Sequence, residues 1–251
     1  MNIVIIAKNL KEDYYIEALM GVMESSLDEG QYVSVGLVME TELGHPVVYK
    51  SPALKFIHPT ETLAVLRIFR PRFLIAGISV SSEEYKSSMV DLQPYVLNDR
   101  YIFINVLNQK KETVSKDKRL SLVSALWDIV NYALVRQDLK TKLLINALNE
   151  VKCAISVMYE HPTRRVFFIR YVSEEYLKRR NNMPYDHILL SFDHEGSSWM
   201  LILGEESLVN LGLKRLKKFT RGSSKELPGK ILVHIKEEDL EMDVRLFPEL
   251  K

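Results

Sequence analysis

The chain has 251 residues, 47% hydrophobic and 27% charged, which excludes a disordered chain and suffices for one large domain or two modest ones. Thirty-four Lys and Arg stand against thirty-three Asp and Glu, so attraction to nucleic acid or acidic lipid must come from a local patch and not from the net charge of +1. A single cysteine, Cys153, excludes an intramolecular disulfide framework and a Cys-rich metal site. Residues 3–7 are too short for a signal peptide, and no run approaches the roughly 20 apolar residues of a membrane span. The expectation is a cytoplasmic protein with no membrane contact.

Asn2–Ala7 predicts a buried first strand. Apolar residues at Tyr15, Ile16, Leu19, Met20, Met23 and Leu27 then predict a helix over Glu12–Glu29, stopped by Gly30. Tyr32–Val38 alternates as a second strand, and short extended pieces follow at Val47–Tyr49 and Leu54–Ile57. Pro59 opens a helix running to about Phe69. Phe73–Ser79 is apolar almost without alternation, as a strand covered on both faces would be, and Ser81 with Glu84 has the spacing of a capping box for a helix behind it. That helix carries Tyr85, Met89 and Leu92 until Pro94, and Tyr101–Leu107 is a further apolar strand. Strands separated by helices through residue 107 predict an α/β fold with a mainly parallel N-terminal sheet flanked by helices.

Residues 108–119 are polar and lysine-rich, and helical patterns at Ser121–Val135 and Gln137–Val151 follow without a strand between them. They form a helical connector, which places the first domain at residues 1–150. A smaller C-terminal α+β domain is expected over 151–251, with strands at Cys153–Tyr159, Val166–Tyr171, Ile188–Phe192, Trp199–Leu203 and Lys230–Ile235 and a helix at Leu208–Phe219. Asp193-His194-Glu195-Gly196 is the tip of a hairpin, where successive side chains diverge too much to ligate a cation.

Chemical motifs are sparse. No Gly-rich phosphate loop follows the first strand, no G-x-S-x-G elbow or H-x-x-x-H pair is present, and the six histidines, at 45, 58, 161, 187, 194 and 234, stand singly. Glu12 and Asp13 follow the first strand at a catalytic edge of such a sheet, although charge complementarity at a helix N-terminus is the better account of them. The positive signal is electrostatic: Lys214, Arg215, Lys217 and Lys218 close the last helix, and Arg221, Gly222 and Lys225 continue into a loop with Ser223 and Ser224. Such a basic, glycine-containing turn is a candidate for holding phosphates of single-stranded nucleic acid, or else it complements the helix C-terminus. A second basic group, Arg164, Arg165, Arg170, Lys178, Arg179 and Arg180, strengthens the nucleic-acid reading if it shares a cleft with the first.

This order of elements resembles the RecJ-like branch of the DHH phosphoesterase superfamily, with its parallel α/β domain, helical connector and small terminal domain of the DHHA1 type. The best local match is Trp199–Leu203, Leu208–Phe219, Thr220-Arg221-Gly222-Ser223-Ser224 and Leu227-Pro228-Gly229 before Lys230–Ile235; only Gly222 and Gly229 remain of the family's glycines. The catalytic motifs are degenerate. Glu12 and Tyr14 stand where the family has an Asp-x-Asp pair, Ile78 where it has an Asp, and Asn105, Val106 and Leu107 where it has Asp-His-His. An amide and aliphatic groups cannot offset two divalent ions about 3.5–4 Å apart, so no metal, no cofactor and no phosphodiester cleavage are expected.

The resemblance implies a non-catalytic, nucleoid-associated archaeal replication factor, a structural subunit of the helicase assembly that binds the GINS complex and through it MCM, with contact to single-stranded DNA as a further property. Three alternatives stand beside it. One is a stand-alone single-strand binder using the basic C-terminal residues; another is a divergent metal-dependent phosphoesterase using Glu12, Asp13, Asp91 and Asp99; the third is a generic α/β interaction module unrelated to replication.

Overall fold

The computed structural model describes residues 3–9, 12–28, 32–42, 44–54, 59–81, 93–97, 99–108, 151–161, 163–172, 187–194, 198–205, 210, 222–226, 230–236 and 242–246. In chain order the elements are β1 (Ile3–Lys8), α1 (Glu12–Asp28), β2 (Tyr32–Glu40), β3 (Pro46–Leu54), α2 (Pro59–Phe69), β4 (Phe73–Ser81), β5 (Tyr95–Leu97), β6 (Arg100–Asn108), β7 (Val151–Glu160), β8 (Arg165–Val172), β9 (His187–His194), β10 (Ser198–Glu205), β11 (Gly222–Glu226), β12 (Lys230–Lys236) and β13 (Met242–Leu246). They form a seven-stranded sheet in the order β11-β9-β10-β1-β4-β2-β3 and a six-stranded sheet in the order β13-β12-β8-β7-β6-β5. The chain divides into two compact units, one of residues 1–96, 184–227 and 238–240, the other of residues 97–183, 228–237 and 241–251. The first unit carries the seven-stranded sheet.

The expected parallel sheet is absent. β1 runs antiparallel to both neighbours, pairing Ile5 with Ile202 of β10 and with Ala76 of β4, and β2 is antiparallel to β4 and β3. The second sheet is likewise antiparallel in the described ladders β6–β7, β7–β8, β8–β12 and β12–β13. Unbroken apolar runs had suggested parallel strands because those are buried on both faces. Here Ile3, Val4, Ile5 and Ile6 are indeed wholly buried, but within an antiparallel sheet. Two-face burial is therefore the true content of that pattern, and strand direction is not. The DHH-type α/β fold with a DHHA1-type partner is replaced by two antiparallel sheets with two helices among the described residues.

One face of the seven-stranded sheet packs against the helices. Ile3, Ile5 and Ala7 of β1, Leu74, Ala76 and Ile78 of β4, and Val35, Leu37 and Met39 of β2 share one core with Ile16, Leu19, Met20 and Met23 of α1 and Leu66 of α2. The 16, 19, 20, 23 spacing is what puts these four side chains on one stripe of α1, while Glu17 stays exposed. Helix α2 stops where Arg70 takes a positive φ of 41° and its N–H bonds the carbonyl of Leu66 at 2.9 Å; Pro71 then bars continuation.

The other face of this sheet is equally dry, with Val4, Ile6, Val38, Phe73, Ile75, Trp199 and Leu201 all buried. Two glycines, Gly36 and Gly77, are direct neighbours on β2 and β4 and leave a strip without side chains. Onto Gly36 comes the backbone of Gln93-Pro94, with the Gln93 carbonyl oxygen 2.0 Å from where a Cβ would stand. The peptide bond between Gln93 and Pro94 is cis. Glycine is required there by close backbone approach.

Ser81 is the last residue of β4, and the rest of the expected capping box lies outside the described residues. Glu84, the helix behind it, both connector helices and nearly all of the expected helix at Leu208–Phe219 lie outside the described residues. The extended piece expected at Val47–Tyr49 belongs to a longer strand, β3, whose register shifts between Val33 and Val35 and whose Pro52 falls in that irregularity, where a missing N–H does least harm; of the piece expected at Leu54–Ile57 only Leu54 lies within the described residues. β9 and β10 do form the expected antiparallel hairpin, with His194 opposite Ser198.

Candidate functional site

At one end of the six-stranded sheet, polar chemistry gathers around the β7–β8 connection. Strands β6 and β7 pair Tyr101 with Tyr159 and Arg100 with Glu160, and the ladder continues one step further as the His161 N–H bonds the carbonyl of Asp99 at 3.0 Å. The turn closes when the Arg164 N–H bonds the carbonyl of His161 at 3.2 Å, with Arg164 at φ 50°. Strand register thereby places Arg100, Tyr101, Tyr159 and Glu160, and the hydrogen-bonded turn places His161, Thr163 and Arg164.

The rings of Tyr101 and Tyr159 stack with centroids 6.1 Å apart and planes 28° from parallel, and the Tyr159 ring meets the His161 imidazole at 6.4 Å. Tyr159 is wholly buried and Tyr101 is 7% exposed. Burial first, and the negative charge of Asp99 second, hold the Tyr101 phenol above the ordinary value of 10.0. It is therefore a neutral hydrogen-bond donor throughout the physiological range. Nδ1 of His161 is buried without a hydrogen-bond partner. A buried ring nitrogen left unmatched costs about 1–3 kcal/mol, which a water or a ligand atom would relieve.

A charged row borders these rings. Arg100 Nε lies 3.5 Å from Glu160 Oε1, the Thr163 hydroxyl donates to the other carboxylate oxygen, and Arg165 is exposed opposite Glu160 on β8. The ensemble offers an imidazole nitrogen that can accept a proton, a phenol that can donate one, and guanidinium groups able to hold an anion.

The residues singled out from sequence fall elsewhere and do not assemble. Glu12 and Tyr14 lie in the first turn of α1, Ile78 is wholly buried in β4 within the helix-facing core, and Asn105, Val106 and Leu107 lie on β6 in the other sheet, paired with Ile155, Ala154 and Cys153. Of the basic candidates, Lys214, Arg215, Lys217, Lys218 and Arg221 lie outside the described residues. Gly222 and Lys225 belong to strand β11, paired with Phe192 and Leu189, where a phosphate-holding loop had been expected. In the second basic group, Arg164 and Arg165 are exposed but Arg170 is only 6% exposed, and residues 178–180 lie outside the described residues. Among the described residues no group of three or more His, Cys, Asp or Glu side chains is placed to hold a metal ion, and no helix is long and apolar enough to cross a membrane.

Sequence reasoning set His161 aside as a lone histidine and did not consider Tyr101 or Tyr159. The available signal was that both tyrosines end apolar strand patterns, with an Asp or a His two residues away.

The whole chain superposes on half of a glutamine phosphoribosylpyrophosphate amidotransferase from B. subtilis, complexed with ADP and GMP, at a TM-score of 0.56 and 11% identity, covering 100% of this chain and 50% of that one. The likeness is one of fold. A second structure, described as the allosteric regulatory enzyme of purine biosynthesis, matches at a TM-score of 0.52 and 11% identity over 99% of this chain and 49% of that one. A glutamine aminotransferase class-II domain protein from Silicibacter pomeroyi matches at 0.47 and 10% identity, over 87% of this chain and 99% of that one. The chain thus spans about half the length of the first two. No protein-family model matches, and no curated protein matches.

The resemblance to the RecJ-like DHH branch is overturned by these matches and by the antiparallel topology. With it goes the replication-scaffold reading, including the GINS and MCM association that rested only on that family. The expectation of a non-enzyme rested on the loss of that family's metal ligands, and it falls with the family, whose fold this chain does not have.

Proposed function

We propose that this chain acts on a carboxamide substrate, glutamine or a related amide, in the manner of the amidotransferases whose fold it shares. The observation that carries this reading is the superposition of the entire chain on half of the B. subtilis enzyme. The cluster in the second unit supplies groups suited to the chemistry. His161 is the candidate proton acceptor as water attacks the amide carbon, and the neutral Tyr101 phenol is the candidate donor to the amide oxygen or to departing ammonia. The net reaction consumes one water and yields a carboxylate and an ammonium ion.

The test is release of glutamate and ammonia from glutamine by the purified chain, with His161→Gln and Tyr101→Phe alongside. Release that falls by about 10²-fold or more in His161→Gln supports both the function and the site, since general acid–base groups contribute on that scale. Release unchanged in both variants leaves amide chemistry in place and moves it to other residues. No release above a heat-denatured control, from glutamine or from asparagine, sinks the reading.

A further inference from the structure

Helix α2 buries Thr62 and Leu66 on one side. Ile68, about 200° round the axis from Leu66, faces away from the core on the outer stripe that it shares with Glu61 and Ala64. It is 74% exposed and its neighbour Phe69 is 38% exposed; among the described residues Val96 is the one other large apolar side chain left so open. Arg67, Arg70 and Arg72 flank this pair along the chain, and all three are exposed. Among the described residues the side chains of Arg67 and Arg72 make no hydrogen bond or ion pair. Of the exposed acids on these elements, Glu42 stands two residues past the Glu40 that holds Arg72, and Glu61 six residues before Arg67, which leaves positive charge in excess at the helix end.

The backbone of this corner is tied on three sides. The Arg70 N–H bonds the Leu66 carbonyl at 2.9 Å, the Arg72 N–H bonds the carbonyl of Glu40 at 2.8 Å, and the Arg72 carbonyl accepts the N–H of Asn9 at 2.7 Å. Its side chains are therefore presented on a backbone that binding need not order first.

We propose that this corner, Arg67–Arg72, docks on the surface of an anionic lipid bilayer, with Ile68 and Phe69 entering the headgroup–acyl boundary and the guanidiniums on the phosphates above it. Arginine suits both layers, because its stem lies along apolar surface while its head stays among the anions. The small extent of the patch favours this partner. A stable protein interface engages about 20–30 residues on each side around an apolar core, and two adjacent apolar side chains do not supply one. A nucleic-acid strand stacks its bases on aromatic faces, but the more exposed member of the pair is Ile68, which has none. A bilayer demands no matching shape and rewards a protruding apolar pair ringed by cations. The expectation of no membrane contact rested on the lack of a spanning segment, which docking of this kind does not require.

Co-sedimentation of the wild-type chain with vesicles of phosphatidylserine and phosphatidylcholine in equal parts tests this, independently of any amidase activity. The expected result is binding to these vesicles, weaker by about tenfold or more on phosphatidylcholine alone, in Ile68→Ser with Phe69→Ser, and in Arg67→Gln with Arg72→Gln. In the wild type itself, phenylglyoxal labelling of Arg67 and Arg72, counted by peptide mass spectrometry, is expected to slow when the mixed vesicles are added. Failure to bind the mixed vesicles, equally tight binding to phosphatidylcholine alone, binding that either double variant leaves intact, or labelling unchanged by vesicles overturns the proposal. Retention of a single-stranded oligonucleotide in place of vesicles, lost in the same variants, also overturns it and assigns the corner to nucleic acid.

Discussion

The carbonyl oxygen of Gln93 stands 2.0 Å from the position a Cβ at Gly36 would take. Any side chain there collides with backbone, which cannot swing aside as a long side chain can. Gly36→Ala is expected to destabilise by about 3 kcal/mol, lowering Tm by about 6–12 °C in a chain of this size. Gly44 offers the comparison, because its φ is 76° with nothing within 4 Å of a Cβ. Gly44→Ala is expected to cost only the backbone strain of about 1–2 kcal/mol. Thermal melts of the two variants separate close approach from conformation, and equal losses would contradict the packing of Gln93 against β2.

Trp199 begins the ladder of β10 with β1 opposite Lys8, and its ring meets Phe73 edge-on at 6.3 Å and 72°. Both rings are buried on the face of the sheet turned away from the helices. Trp199→Ala is expected to cost about 3–5 kcal/mol, whereas Trp199→Phe keeps an aromatic edge there and costs less. Urea unfolding followed by far-UV circular dichroism measures both.

Tyr101 gives a pH signature. Its pKa is raised in the folded chain, so the folded state holds the phenolic proton more tightly than the unfolded state, whose value is about 10. The resulting stability is fully present below that pH and is lost as pH rises through the folded value. Tyr101→Phe keeps the ring against Tyr159 and removes the proton, so its stability should decline less steeply than that of the wild type above about pH 10. Parallel profiles from urea titrations would show that the phenol is not protected by burial.

Lys50 has the opposite sign. Its pKa is lowered, so the folded state holds this proton less tightly, and the group's contribution is present above about pH 10.4 and lost as pH falls through the folded value. Lys50→Met should therefore be more stable than the wild type at neutral pH, with the difference closing as the pH approaches that of free lysine. A Tm difference that stays constant with pH would contradict desolvation as the cause.

The Arg100–Glu160 pair is expected to matter little to stability despite its central place beside the tyrosines. Its side chains are 28% and 16% exposed, and Thr163 also holds the carboxylate. Arg100→Met should cost about 0.2–1 kcal/mol in a urea titration.

What was legible from the sequence was local. The apolar runs at Ile3–Ala7, Phe73–Ser79 and Trp199–Leu203 announced strands, and the stripe through Ile16, Leu19 and Met23 announced α1. Their partners were not legible. Ile5 pairs with Ile202, almost two hundred positions away, and nothing in either run distinguishes a parallel neighbour from an antiparallel one when both faces are buried. Gly222–Glu226, GSSKE, has turn-forming residues and no apolar alternation and so reads as a loop, yet its backbone pairs with β9 at the sheet's edge.

The candidate site was hidden for the same reason. Tyr101 and Tyr159 are 58 positions apart and meet only because Arg100–Asn108 and Val151–Glu160 pair in that register. Asp99 and His161, each two residues from one of these tyrosines, are likewise brought together only by that register.

The placement of β1 between β4 and β10 has a consequence for biosynthesis. As the chain leaves the ribosome, Ile3–Lys8 can pair with Phe73–Ile78 early, but its other edge waits for Trp199–Gly204, more than a hundred residues later. During that interval a strand of isoleucines and valine offers unpaired N–H and C=O groups to any passing extended peptide. The nascent chain is thus most exposed to aggregation between synthesis of β4 and of β10, and its yield should respond to chaperone supply and to translation speed between the codons for Ile78 and Trp199.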